Sequence, residues 1–289
     1  MVSTFDTKWY NLGVKKQQNN NEINLHTFNL LSSLLSILNT NDESDTDFVI
    51  AKYLLNNLND LKNISIYKVA EDCFVSRSSV QRFIKNIGYD SYTQLKASLD
   101  NVISHESAFI DYTDHAYYSE HLMESVQAMS KDICENSAKQ GFKKFIDYFM
   151  EADNIVLLTA EDSSYPCKIF QQELVSIGKI VRIITNANTN KQILESLNKN
   201  DLLLVSSITG NFALAIDSEV QNIKAKKILV TLNRSAIFEN SYSYIYYIGN
   251  SVKLNSRSLV AVRNVYNNYG LSLFLDLVYH ECYLRRNKH

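Results

Sequence analysis

Apolar residues recur at helical spacing at Leu25, Phe28, Leu31, Leu34, Leu35 and Leu38, and again at Phe48, Ile50, Ala51, Leu54, Leu55 and Leu58. Positions three and four apart share one helix face, so each run predicts an amphipathic helix, with the polar break 39–47 between them. Three shorter helical segments follow and end near Asp100. Upstream, the polar run Gln17-Gln18-Asn19-Asn20-Asn21 sets off residues 1–22 as a loose tail. From about Ile103 to Ser119 no period holds, which marks 102–119 as a linker between a helical domain at 23–101 and a second domain at 120–289.

The pattern changes after Asp153. Short apolar runs at 155–158, 180–184, 202–205, 228–230 and 244–248 alternate with segments of helical length. Runs apolar throughout, spaced by helices, predict a parallel sheet covered on both faces. One helix from about Glu120 to Met150 should precede this sheet, and a long helix from about Leu259 to Leu284 should close it. The expected fold is therefore an all-α domain followed by an α/β sandwich with a five-stranded parallel sheet.

Composition adds exclusions. With 45% hydrophobic and 21% charged residues the chain has ample material for two cores, and the single Pro and seven Gly disfavour a turn-rich β architecture. The net charge of −2 advertises no polyanion-binding protein overall, so any nucleic-acid contact must use a local patch. No apolar run is long enough to span a bilayer, and the first residues lack a signal-peptide pattern. Cys73, Cys134, Cys167 and Cys282 form no CxxC pair. The expectation is a reduced, cytoplasmic protein with no cofactor and no metal; His105, His115 and His121 among acids 111–124 read as a solvated connector.

One segment carries a local patch. Ser65 can cap a short helix that turns Val69 and Ala70 inward; after a turn at Cys73-Phe74-Val75, Ser76 can cap a second helix that buries Val80, Phe83, Ile84 and Ile87 and stops at Gly88. That is helix-turn-helix grammar. Ser76, Arg77, Ser78, Ser79, Gln81, Arg82 and Lys85 stand outside the buried set, and no acid occurs from Cys73 to Tyr89. Arg and Gln suit bidentate contacts with base edges; Ser and Lys suit phosphates.

Residues 47–95 resemble the N-terminal domain of the RpiR/MurR transcription regulators, through Ser65-Ile66 with Val69-Ala70, through Val75-Ser76 with Ser78-Ser79-Val80 and Arg82-Phe83, and through Gly88-Tyr89, Tyr92 and Leu95-Lys96. The resemblance implies a homodimer or tetramer binding double-stranded operator DNA, with no membrane contact. It also implies a C-terminal sugar isomerase (SIS) domain of flavodoxin-like fold that senses a sugar or phosphosugar. The two effector loops of such a domain fall at Thr159–Ser164 and at Ser207–Phe212, the second led by Asp201, and Gly178 keeps the register of the first. Effector contacts are then expected from Ser163, Ser164, Ser207, Thr209, Gly210 and Asn211.

Thr159 and Glu161 stand where the first loop usually has glycines, and Phe212 where the second has Thr. A carboxylate ~4 Å from a phosphate costs about 4 kcal/mol at an effective dielectric of 20, against ~0.3–1 kcal/mol from a helix dipole. Three outcomes stay open: a phosphosugar with the acids turned away, a neutral or amino sugar, or a domain that only dimerises. Asp162 or Ser163 would otherwise serve as helix caps. Asn233-Arg234-Ser235 would supply a cation near the ligand or form a surface turn, and Ser256-Arg257-Ser258 would open the last helix. A sugar-phosphate isomerase would need a general base, for which only Glu161, Asp162 or Glu173 could be nominated, so no catalytic residue is expected.

Overall fold

The computed structural model describes residues 30–99, 113, 117–187, 190–250 and 265–287. They divide into two compact units between residues 114 and 115. The expected tail 1–22, most of the linker and the Ser256–Ser258 cap lie outside the described residues.

The first unit is a helical bundle. Helices α1 (Leu30–Thr40) and α2 (Thr46–Asn56) pack together, and α3 (Ile66–Asp72), α4 (Arg77–Asn86) and α5 (92–99) complete it. The core holds Leu34, Ile50, Leu54, Val69, Val80, Phe83, Ile84, Leu95 and Leu99. On α1 the apolar stripe is wider than the face that packs. Leu30 and Leu34 are buried, whereas Leu31 and Leu35, expected inside, are exposed, because only one residue of each Leu pair can face α2. Ile87, also expected inside, is half-buried at the end of α4.

Helix α3 ends in a Schellman motif, in which Phe74 N–H donates to Glu71 O and Val75 N–H to Ala70 O. Helix α4 ends the same way, with Gly88 N–H on Lys85 O and Tyr89 N–H on Ile84 O. The left-handed residue of this motif is Gly88 in α4, at φ 95°, but Phe74 in α3, at φ 55°. A side chain in that conformation costs roughly 1–2 kcal/mol relative to glycine. Downstream, the Gly88–Lys96 segment ties the bundle together. Tyr89 is buried with its hydroxyl against Ser98, Tyr92 donates to Ile64 O at 3.1 Å, and Lys96 Nζ donates to Lys62 O at 2.7 Å.

The second unit begins with α6 (Tyr118–Ser137) and α7 (Gln140–Glu151), two helices where one was expected. The break at Ala138-Lys139 contains neither Gly nor Pro; Ser137 Oγ donates to Cys134 O and closes the last turn of α6. Then alternate β1 (Ile155–Thr159), α8 (Ser164–Ser176), β2 (Val181–Ile184), α9 (Lys191–Ser196), β3 (Leu202–Ser206), α10 (Asn211–Ala215), α11 (Asp217–Gln221), β4 (Lys226–Thr231) and β5 (Tyr244–Tyr247). Ile180, expected in the second strand, lies outside it and is exposed. A π-helical turn at Tyr266–Gly270 leads into α12 (Leu271–Arg286).

All strand pairs are parallel, in the order β2-β1-β3-β4-β5. This is the flavodoxin-like order, whose switch point lies between β1 and β3. Aromatic rings from α7 (Phe142, Phe145, Phe149), α8 (Phe170), β5 (Tyr246) and α12 (Phe274) interlock in the core. Asp201, at the amino end of β3, is a buried carboxylate that accepts from both nitrogens of Asn154 and both of Asn198. It fastens β1 to β3 and so positions their carboxyl ends.

Candidate nucleic-acid interface and effector cleft

Helix α4 is set by its caps and its core face. Ser65 Oγ accepts from Lys68 N–H at 3.2 Å and starts α3; Ser76 Oγ accepts from Ser79 N–H at 3.1 Å and starts α4. Val80, Phe83 and Ile84 anchor the inner face of α4. Ser78, Gln81, Arg82 and Lys85 are exposed along the opposite face, at the i, i+3, i+4, i+7 spacing of one stripe. Ser79 is half-buried, and its hydroxyl lies 2.9 Å from that of Ser76, so these two serve the cap as well as the surface. Arg77 is held from below: its guanidinium lies 4.9 Å from the centroid of the Tyr67 ring, and Nη1 donates to the Tyr67 hydroxyl at 3.0 Å. In α3, Asp72 is occupied by Lys68 at 2.7 Å and by the Tyr53 hydroxyl, so this carboxylate does not compete for Arg77.

At the switch point, Thr159 and Ser206 face each other in register at the carboxyl ends of β1 and β3. The loop after β1 is a 3₁₀ turn, Glu161–Ser163, running into α8. Thr159 is fully buried, so the side chain replacing the first glycine is shielded from solvent. Glu161 and Asp162 are exposed. Neither expected cap forms: Ser163 Oγ donates to Asp162 Oδ1, and no side chain caps α8. Ser164 is buried in the first turn. Beneath it the Cys167 thiol donates to Ser163 O, and burial pushes its pKa up to about 12, which leaves no reactive thiolate.

The loop after β3 is stitched into place. Buried Ser207 Oγ accepts from Ala213 N–H at 3.1 Å, and Thr209 Oγ1 accepts from Asn211 N–H at 3.3 Å. Gly210 is left-handed, at φ 82°, and a Cβ there would fall 2.6 Å from Asn233 Nδ2. Asn233 in turn donates to Thr209 O at 2.9 Å and binds the loop to the end of β4. Ser207, Thr209 and Gly210 thus have structural tasks that their spacing did not reveal, while Thr209 and Asn211 remain half-exposed. Arg234 turns away toward β5, donating to Gly249 O at 2.9 Å over the ring of Tyr247.

Sequence reasoning missed one polar hub. Asp132 of α6 accepts from Asn250 N–H, from Asn250 Nδ2 and from the Tyr266 hydroxyl. These partners lie more than a hundred residues away, and only the fold brings them together. A depression of about 700 Å³ lies at the opposite ends of the strands, around Asn154, Lys179, Arg182 and Asp201. Among the described residues no group of three or more His, Cys, Asp or Glu is placed to hold a metal ion. No helix there is long and apolar enough to cross a membrane.

A capped helix pair with an acid-free outer face, joined in one chain to a flavodoxin-like α/β domain, defines a helix-turn-helix DNA-binding protein. Residues 29–106 match the helix-turn-helix domain of the rpiR family, and this part of the chain is a helix-turn-helix domain of that type. It is 22% identical over 239 residues to the HTH-type transcriptional regulator GlvR of Bacillus subtilis, covering 80% of this chain and 89% of that one. It is 23% identical over 232 residues to the uncharacterized HTH-type transcriptional regulator YfhH of Escherichia coli, covering 75% and 82%. Among solved structures it is similar to the Vibrio vulnificus NanR protein complexed with ManNAc-6P, at 19% identity and TM-score 0.43, over 90% of this chain and 94% of that one.

Proposed function

We propose that this chain reads operator DNA through α4 as a homodimer or tetramer in the cytoplasm, and that a sugar phosphate bound at the β1/β3 crevice changes its DNA affinity. The observation that carries the DNA reading is the outer face of α4, where Arg77, Ser78, Gln81, Arg82 and Lys85 stand together with no acid from Cys73 to Tyr89. Ser76 and Ser79 supply the cap at its amino end. The test is a gel shift with the full-length protein. Arg77→Ala with Arg82→Ala should abolish operator binding and leave the oligomer unchanged on size exclusion; wild-type binding by the double variant would show the assignment wrong.

The effector reading rests on the two loops that flank the switch point, where open α/β sheets take their ligands. Thr159 is buried, and Glu161 and Asp162 stand in water. At a solvent dielectric the charge penalty at 4 Å falls from about 4 to about 1 kcal/mol, within reach of the dipole of the 13-residue helix α8. Ser163, Ser164, Thr209 and Asn211 are the nominated contacts, with Ser207 and Gly210 shaping the loop. A differential affinity of ~1–3 kcal/mol between two dimer arrangements is enough for control. A thermal-shift screen of phosphosugars, amino sugars and neutral sugars tests this, and no response in any class would favour a domain that only dimerises.

Catalysis has little support. Glu161 and Asp162 are solvated, and Glu173 lies nine residues along α8 from Ser164, about 14 Å from the crevice end at the helical rise. No water-poor general base stands at the crevice end.

A further inference from the structure

We infer that Phe74 is a DNA-contacting residue whose ring packs on the apolar surface of the operator duplex, a thymine methyl or a deoxyribose. The inference rests on the DNA-binding reading of α4 and extends it to the turn that precedes the helix.

Among the described residues three helices end with the same pair of hydrogen bonds. After α4 the left-handed residue is Gly88; after α8 it is Gly178, with Gly178 N–H on Val175 O and Lys179 N–H on Leu174 O; after α3 it is Phe74. The backbone requirement is common to all three, and glycine meets it without strain. The apolar side of the turn is already supplied by Val75, which is half-buried against the core. Phe74 itself is 95% exposed. Neither the turn nor the core therefore calls for a benzene ring at this position, and the ring points at something outside the unit.

The surroundings indicate what that is. Three residues on stands Arg77, braced on Tyr67, itself 64% exposed. Beyond them follow Arg82 and Lys85, and the segment from Cys73 to Tyr89 has no acid. A protein partner would meet a row of cations without counter-charge, whereas a duplex presents phosphates to the cations and thymine methyls or sugar faces to the ring. The amino end of a recognition helix enters the major groove, which brings the preceding turn to the groove edge.

The test uses the full-length protein and the duplex that the wild type selects from a randomised pool. Phe74→Gly removes both the strain and the ring, so the inference expects a melting temperature that does not fall together with at least fivefold weaker binding; Phe74→Asn should bind as weakly, and Phe74→Tyr should bind like wild type. Replacing each thymine by deoxyuridine then separates the two contacts. Loss at one position that does not add to Phe74→Gly identifies a thymine methyl, and no loss at any position identifies deoxyribose. Phe74→Gly binding as tightly as wild type overturns the inference and leaves the α4 reading intact. Unchanged DNA affinity with an altered oligomeric state would make the ring a contact with a second copy of the chain, which also overturns it. A wild type that selects no duplex overturns the DNA reading and this inference together.

Discussion

Arg77 lies over the face of Tyr67 and donates to its hydroxyl, so the first residue of α4 is braced by the second residue of α3. A guanidinium carries five donors in a rigid fork, and the Tyr67 contact uses one, which leaves the fork oriented and available for a base edge or phosphate. Such a stacked pair is worth ~0.5–1 kcal/mol at an exposed site. Tyr67→Leu should weaken operator binding about threefold to fivefold, and Tyr67→Phe, which keeps the ring, by less. Fluorescence anisotropy on the selected duplex measures both, and equal affinity of Tyr67→Leu and wild type would count against the brace.

Lys85 stands in the last turn of α4, seven residues from Ser78 on the same stripe. A lysine on a phosphate releases about one counterion and contributes nothing to base choice. Lys85→Ala should therefore lower the slope of log affinity against log salt by about 1 and weaken binding equally on selected and scrambled duplexes. A loss confined to the selected duplex would instead place Lys85 on a base edge.

The Asp201 clamp makes a stability prediction. Its buried carboxylate accepts four N–H donors from Asn154 and Asn198, at 2.6–3.2 Å. Hydrogen bonds to a charged group contribute more than neutral ones, and their loss strands buried donors. Asp201→Ala should destabilise the second unit by about 3 kcal/mol, read from urea denaturation, with the helical unit's transition unchanged.

A pH effect follows from α8 and α12. Glu173 Oε2 is buried without a hydrogen-bond partner, and burial, then the nearby Asp276, raise the Glu173 pKa; burial also raises that of Asp276. A carboxyl whose folded pKa lies above its unfolded value of about 4.3 binds its proton more tightly when folded. Its contribution is fully present below that value and is lost as the pH rises through the folded pKa. Glu173→Gln should thus melt higher than wild type near neutral pH, with the advantage shrinking toward pH ~4. Parallel melting curves across that range would show the pair to be unimportant.

The helix-turn-helix was legible because its signals are local. Ser65, Ser76 and Gly88 act within four residues of themselves, and Val80, Phe83 and Ile84 share a face by period alone. The five strands were legible as apolar runs, apart from the placement of Ile180. Phe74 in a left-handed turn was hidden because the usual marker of that conformation is glycine. The structural task of the Ser207 and Thr209 hydroxyls was hidden, because both are engaged by nearby backbone amides that only the folded loop turns toward them. The Asp132 hub joins residues 118 and 134 positions apart, a separation no periodicity encodes.

The stitching of the Ser207–Gly210 turn to Asn233 has a thermodynamic consequence. Its backbone is ordered before any molecule arrives, so docking on that wall of the crevice loses little conformational entropy there. Chemical differences between two candidate molecules, a hydroxyl more or a phosphate less, would then pass into their affinities without being blunted by a shared cost of freezing the loop.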